Sequence, residues 1–119
     1  MVVDDDPMTC RLLAAQLEIE GYVCTALSDA REAWKAIPAE SPALILLDFH
    51  LGNRAGLELL RSIRNHHAYR TVPVIVMSAL DHHRESELAG ADDFVLKPFS
   101  VDTLLTVVQE VLRRQESKK

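Results

Sequence analysis

The feature that most constrains the fold is a repeated alternation of short apolar runs with longer amphipathic segments. Runs of strand length occur five times, and each is followed by a segment whose apolar residues return with helical spacing. The runs at 43–47 and 72–77 are almost continuously apolar, which is typical of strands buried on both faces. Strict β/α alternation indicates a parallel sheet with helices on both faces.

The same patterns predict the bounds and the order of the elements. The expected strands span residues 2–3, 22–26, 43–47, 72–77 and 93–96. Gly21 should end the first helix and Pro38 the second, so the expected helices span residues 7–20, 30–37, 55–65, 83–89 and 100–114. Right-handed crossovers favour a doubly wound sheet, and five strands suit the flavodoxin-like order 2-1-3-4-5. The predicted fold class is α/β, with one domain over residues 1–119.

The composition argues against several partners and environments for this domain. A net charge of −5 argues against direct nucleic-acid binding by this domain, because such binding depends on neutralising phosphates. Cys10 and Cys24 are too few for a disulfide framework, so both are expected to be buried small hydrophobes in a reducing, cytoplasmic compartment. The apolar runs are too short to cross a bilayer, so no membrane contact is expected.

Reactive side chains stand where four of the predicted strands end. Asp4 and Asp5 follow the first strand, Asp48 the third, Ser78 the fourth and Lys97 the fifth. In the order 2-1-3-4-5 these four ends are neighbours, while the second strand lies at the edge. Ligands of doubly wound sheets bind beyond the carboxyl ends of the strands. These five side chains are therefore expected to form one site.

The residue types in this site predict phosphoryl chemistry. Three converging carboxylates repel one another, and a hard divalent cation with oxygen ligands, Mg²⁺ or Mn²⁺, would relieve that repulsion. Lys97 can meet a phosphoryl oxygen, and Ser78 supplies a neutral hydroxyl donor. A carboxylate in this setting can attack phosphorus and become an acyl phosphate. Asp6 directly follows Asp4 and Asp5 but also precedes Pro7, so it is expected to cap a helix rather than bind metal.

Four motifs resemble the receiver domains of response regulators in two-component signalling. They are V-V-D-D-D-P at 2–7, L-L-D at 46–48, V-I-V-M-S-A at 74–79 and G-A-D-D-F-V-L-K-P-F at 90–99. The resemblance covers essentially the whole chain. It implies that Asp48 accepts the phosphoryl group and also binds the metal. It further implies that Asp5 binds the metal directly, Asp4 mostly through water, and His50 through its backbone carbonyl.

The resemblance also implies a conformational switch. Ser78 would be the hydroxyl that turns toward the phosphoryl group, Phe94 the aromatic that changes rotamer with it, and Lys97 the lysine of the family motif. The bond between Lys97 and Pro98 would be cis. The output face would be formed by the fourth helix, the fifth strand and the fifth helix, and Val107 and Val111 are expected to give it an apolar shoulder.

The implied partners are a sensor histidine kinase or a histidine phosphotransfer protein and a downstream effector domain or protein. A second copy of the chain is a further candidate partner. The chain would be a stand-alone receiver or one cut from a larger regulator or hybrid kinase. Such a domain catalyses only its own phosphorylation and dephosphorylation. Two alternatives stay open: a degenerate receiver that only binds partners, and a Mg²⁺-dependent phosphohydrolase with an aspartyl nucleophile.

The histidines raise two further hypotheses. The adjacent pairs His66–His67 and His82–His83 lack the wider spacing of zinc ligands on a helix, so zinc binding is not predicted. His50 lies two residues after Asp48, and Leu80 lies two residues after Ser78. These two side chains are expected to tune the lifetime of the acyl phosphate by shaping the access of water.

Overall fold

The computed structural model describes residues 1–52 and 55–117 and shows one five-stranded parallel sheet in the order β2-β1-β3-β4-β5. The predicted fold class and strand order are confirmed. The strands are β1 Val2–Val3, β2 Ala26–Leu27, β3 Ile45–Asp48, β4 Val74–Ser78 and β5 Asp93–Leu96. The helices are α1 Pro7–Ile19, α2 Ala30–Glu40, α3 Ala55–Asn65, α4 His83–Leu88 and α5 Val101–Ser117.

Two apolar layers cover the two faces of the sheet. One layer packs α1 and α5 against side chains such as Val2, Leu46 and Met77. The other layer packs α2 and α3 against the strand residues that alternate with these, such as Val3 and Leu47. Successive residues of a strand point to opposite faces of the sheet, so residues on both faces must be apolar when helices cover both faces. This requirement explains the continuous apolar runs in the sequence.

The strand register brings the functional residues to one edge of the sheet. Asp48 is the last residue of β3 and lies beside Met77 of β4. Ser78 ends β4 and lies beside Leu96 of β5. Asp4 follows the end of β1, whose residues pair with both β2 and β3.

The second strand differs from its prediction. It spans Ala26–Leu27 rather than residues 22–26, because its only partner, β1, has two residues with which it can pair. Val23 is 98% exposed and lies outside the sheet. The buried strands β3 and β4 also begin two residues later and end one residue later than expected.

The second helix does not end at Pro38 as predicted. It continues to Glu40 and closes at Ser41, which has a left-handed backbone with φ of 46°. Pro38 lacks an N–H donor and its ring crowds the carbonyl of the preceding turn. The Ser41 amide nevertheless donates to the carbonyl of Ile37 across this last turn at 2.9 Å, so the helix continues past Pro38.

The predicted apolar shoulder on α5 is wrong. Val111 is 1% exposed and belongs to the layer that covers the sheet, and Val107 is partly buried against the same layer. The helix runs to Ser117, three residues beyond its expected end. On the side formed by α4 and β5, the exposed apolar side chains are instead Leu88 at 76% and Leu96 at 51%.

Asp6 begins α1, as predicted. Its side chain accepts a hydrogen bond from the Met8 amide, and Pro7 occupies the first helical turn. The hydrogen bond from the Thr9 hydroxyl lowers the pKa of the Asp6 carboxyl. Asp6 thus serves the helix terminus, which separates it from Asp4 and Asp5.

The two cysteines occupy different environments. Cys10 is 1% exposed, and its thiol lies 3.2 Å from the carbonyl oxygens of Val2 and Leu27, which confirms it as a small core residue. Cys24 is only partly buried, so the prediction is wrong in that respect. No helix among residues 1–52 and 55–117 is long and apolar enough to cross a membrane.

Candidate functional site

Three aspartates form an acidic cluster at the carboxyl edge of the sheet. Asp4, Asp5 and Asp48 each offer a carboxylate oxygen, and these oxygens lie within 4.8 Å of one another. Asp4 and Asp48 are only 1% and 5% exposed, whereas Asp5 faces solvent. An all-oxygen set with one open side can hold a hard divalent ion. Within the described part of the chain, this is the one group of three or more candidate ligands that converges.

Lys97 supplies the positive charge of the site. Its Nζ donates to Asp4 Oδ2 at 2.8 Å and lies 3.8 Å from Asp48 Oδ1. Burial alone would lower the pKa of Lys97, but the hydrogen bond to Asp4 and the charge of Asp48 outweigh it and raise the pKa. One ammonium thus faces three carboxylates, which leaves the site short of positive charge. The bond between Lys97 and Pro98 is cis, as predicted.

Asp48 is costly to ionise in the absence of a metal. Burial, followed by the charge of Asp4, raises the pKa of Asp48 above its ordinary value, and Lys97 offsets only part of this effect. The backbone N–H of His50 donates to Asp48 Oδ1 at 3.2 Å and orients the carboxylate. The His50 amide therefore lies at the site, while the side chain of His50 is exposed.

Ser78 and Phe94 lie on neighbouring strands. Ser78 is fully buried, and its Oγ accepts a hydrogen bond from the Leu80 amide at 3.1 Å. Its backbone carbonyl accepts from the Lys97 amide at 2.7 Å, which ties together the ends of β4 and β5. Phe94 is partly buried, and its ring stacks on the ring of His83 with centroids 5.6 Å apart.

Gly56 is a residue of the site that the sequence analysis missed. A Cβ atom at this position would lie 2.1 Å from the backbone oxygen of Asp48 and 2.8 Å from that of Phe49. The first turn of α3 can therefore approach the end of β3 only because residue 56 has no side chain. The available signal was a glycine in the first turn of an otherwise amphipathic helix.

The sequence analysis also missed Arg64, which lies at the amino ends of the strands, away from the acidic cluster. Its guanidinium donates to the carbonyl oxygens of Val72 and Gly90 and to Asp92 Oδ2, at 2.7–2.8 Å. These bonds join the end of α3 to the segments that lead into β4 and β5. Burial, only partly offset by Asp92, lowers the pKa of Arg64.

Comparison with known proteins agrees with this geometry. The family described as response regulator receiver domain matches residues 1–109. The chain belongs to this family. Receiver domains are signalling modules of two-component systems rather than enzymes that turn over an external substrate, and the acidic cluster is consistent with a phosphoacceptor site.

Curated relatives that match this chain are longer than the chain. The chain is 33% identical over 117 residues to the phosphate regulon transcriptional regulatory protein PhoB of Pseudomonas aeruginosa, covering 96% of the chain and 51% of PhoB. It is also 33% identical to the transcriptional regulatory protein KdpE of Mycobacterium tuberculosis, covering 96% of the chain and 50% of KdpE. The chain thus spans about half the length of these relatives.

Solved structures give the same result. The receiver domain of NtrX from Brucella abortus is 33% identical with a TM-score of 0.85, and the alignment covers 94% of this chain and 96% of that one. A CheY-like receiver domain protein from Methanospirillum hungatei is 29% identical with a TM-score of 0.90, covering 99% and 95% of the two chains.

Proposed function

We propose that this receiver domain is a phosphorylation switch in which Asp48 accepts a phosphoryl group from a phosphohistidine. The convergence of the three carboxylates with the Lys97 ammonium, 3.8 Å from Asp48, supports this assignment most strongly. A buried nucleophile with an adjacent cation and an open acidic pocket suits in-line attack on phosphorus. Ser78 completes the set as a buried hydroxyl at the next strand end.

The proposed reaction is the transfer of a phosphoryl group from a donor histidine to Asp48. A carboxylate oxygen of Asp48 attacks phosphorus, and the bond between phosphorus and the donor imidazole nitrogen breaks. The electron pair of that bond stays on the nitrogen. Asp48 becomes an acyl phosphate, and hydrolysis of this mixed anhydride later restores the carboxylate.

The residues at this edge fit Mg²⁺ or Mn²⁺. Carboxylates of Asp4, Asp5 and Asp48 and the backbone carbonyl of His50 would hold the ion, with Asp4 acting mostly through water because Lys97 already binds it. The bound cation would neutralise charge on the transferred phosphoryl oxygens. The mismatch of three carboxylates with one ammonium is the observation that supports this fit.

Two side chains would carry the signal from the phosphoryl group. Ser78 Oγ accepts from the Leu80 amide, so its hydroxyl proton can be donated to a phosphoryl oxygen. Lys97 can shift from Asp4 toward Asp48 to meet a second oxygen. Movement of the segment after β4 would then open space for Phe94 to change rotamer, and α4, β5 and α5 would shift between two populations.

The proposed partners follow from this role. A sensor histidine kinase or a histidine phosphotransfer protein would supply the phosphoryl group, in the cytoplasm. A downstream effector domain or protein, or a second copy of the chain, would recognise the face made by α4, β5 and α5. Leu88 and Leu96 are exposed there and can supply the apolar contact. Residues 1–119 would act either alone or as part of a longer regulator.

Beryllofluoride, an analogue of the phosphoryl group, tests this function. In the presence of Mg²⁺ it should bind at Asp48 and move the NMR signals of Ser78 and Phe94, and an Asp48→Asn variant should give no response. If the wild-type chain does not respond, the degenerate receiver that only binds partners is favoured instead. Steady turnover of small phosphate esters would favour the phosphohydrolase.

A further inference from the structure

The histidine pair, His82 and His83, stands at the start of α4 and stacks on two phenylalanine rings, while the His50 ring meets that of His82 edge-on with centroids 5.0 Å apart. The ring of His82 stacks on Phe49 with centroids 3.9 Å apart and planes 4° apart. The ring of His83 stacks on Phe94 with centroids 5.6 Å apart and planes 10° apart. Adjacent side chains point in different directions, so two consecutive histidines can contact one ring just after β3 and another within β5.

Both phenylalanine rings lie close to residues of the proposed switch. Phe49 follows Asp48 directly and is 3% exposed, and its amide donates to the carbonyl of Met77 at 2.8 Å. Phe94 lies in β5, three residues before Lys97, and pairs with Val76 of β4. The histidine pair therefore joins the phosphoacceptor strand to the switch strand through the first residues of α4.

Ring stacking is the main contact that holds these two imidazoles. His82 Nδ1 donates to Glu85 Oε1 at 3.2 Å, but the buried Nε2 has no hydrogen-bond partner among the residues the structure describes. His83 Nε2 lies 3.8 Å from Glu87, and both side chains are more than half exposed, so solvent weakens this ion pair. Stacking of flat rings is favourable beyond simple burial, and the His83–Phe94 centroid distance of 5.6 Å lies in the usual range for such pairs.

We propose that the histidine pair restrains the switch, holding Phe49 and Phe94 against the start of α4 in the unphosphorylated domain. This inference rests on the proposed function, in which Phe94 changes rotamer on phosphorylation. A ring that leaves His83 must give up its stacking contact, so the contact favours the resting population. His82 acts as a positioning residue in the same restraint, because it fixes the start of α4 against the strand that carries Asp48.

The strength of the stacking contact sets the size of the expected effect. An aromatic contact of this kind favours the conformation that contains it by a factor of about two to ten. Removing either ring should therefore raise the affinity for beryllofluoride, measured with Mg²⁺ present, by about two- to tenfold. Loss of both rings should give less than the product of the two single effects, because both act through the start of α4.

Fluorine NMR on the whole chain tests this restraint. The chain has three phenylalanines, so para-fluorophenylalanine labels Phe49, Phe94 and the control Phe99. His82→Leu should shift the Phe49 signal and His83→Leu the Phe94 signal, with Phe99 unmoved. His82→Tyr and His83→Tyr keep a flat ring and add no fluorine label. His67→Leu, at an exposed histidine outside the pair, is the matched control.

The titration with beryllofluoride separates the outcomes. A gain of at least twofold in affinity for both leucine variants, reversed by tyrosine, supports the restraint. A gain of less than twofold or a loss for His83→Leu overturns it, as does an equal gain for His67→Leu. His83 is 61% exposed at its side chain, so this decisive variant should fold. No response in the wild-type chain would instead contradict the proposed function itself.

Discussion

Replacing Asp48 by asparagine should stabilise the metal-free fold, although it removes the proposed phosphoacceptor. Asp48 is 5% exposed and shares the strand ends with Asp4 and Asp5. Burial and the charges of these neighbours raise its pKa despite the Lys97 ammonium 3.8 Å away. Asparagine keeps an oxygen that can accept from the His50 amide and removes the buried charge.

The expected gain is about 1–2 kcal/mol in the free energy of unfolding, within the range found when buried ionic groups are replaced by uncharged side chains. At an effective dielectric constant of about 20, two carboxylate oxygens at the 4.8 Å upper limit of the cluster repel by about 3 kcal/mol, and Lys97 at 3.8 Å attracts Asp48 by about 4 kcal/mol. The exposed Asp5 adds little, because solvent screens its charge. The two pairwise energies nearly cancel, so the cost of burying the charge decides the sign.

Thermal unfolding in the presence of a chelator measures this gain. In a chain of this size, 1 kcal/mol moves the Tm by about 3–6 °C. Glu18→Gln removes one negative charge from an exposed position on α1 and should change stability by less than about 0.5 kcal/mol. Mg²⁺ should raise the Tm of the wild-type chain more than that of Asp48→Asn, because the variant has already lost part of the repulsion.

The pH dependence has a definite sign. The pKa of Asp48 is raised in the folded state, so its charge destabilises the fold above that pKa and not below the ordinary value for aspartate. The advantage of Asp48→Asn should therefore be complete above the raised pKa and shrink as the pH falls through it. A variant with an unchanged or lower Tm at neutral pH would refute the reasoning.

Four further substitutions test other parts of the account. Gly56→Ala should cost about 1–3 kcal/mol in unfolding experiments and slow phosphorylation, because its Cβ would push α3 away from the end of β3. Arg64→Met should cost about 2–3 kcal/mol, since the carbonyls of Val72 and Gly90 lose a charged donor. His50→Ala and Leu80→Ala should change the rate of dephosphorylation, measured as decay of the acyl phosphate, and unchanged rates would contradict their role in shaping water access.

The sheet and its reactive edge could be predicted because both follow from local patterns. Strands covered on both faces need continuous apolar runs, and the β/α alternation restricts the strand order. Asp48 and Ser78 proved to be the last residues of β3 and β4, so their positions at the ends of apolar runs were informative. The convergence of the carboxylates then required only a parallel sheet.

Other features depend on contacts that no local pattern contains. β2 is short because β1 offers it two residues, and Val111 is buried because it packs with Leu104 and Val108 in the layer that covers the sheet. The spacing of His82 and His83 argued against zinc but could not show which rings they meet. Gly56 has its role because the Asp48 carbonyl is close by, which only the folded chain shows.

The position of the phosphoryl group tests the central claim most directly. The chain is incubated with acetyl phosphate and Mg²⁺, reduced with borohydride to convert the acyl phosphate to homoserine, and mapped by peptide mass spectrometry. Homoserine should appear at Asp48, and it should be absent from that position without Mg²⁺. Homoserine at Asp4, Asp5 or another carboxylate, or undiminished labelling of Asp48→Asn, would contradict the assignment of Asp48 as the acceptor.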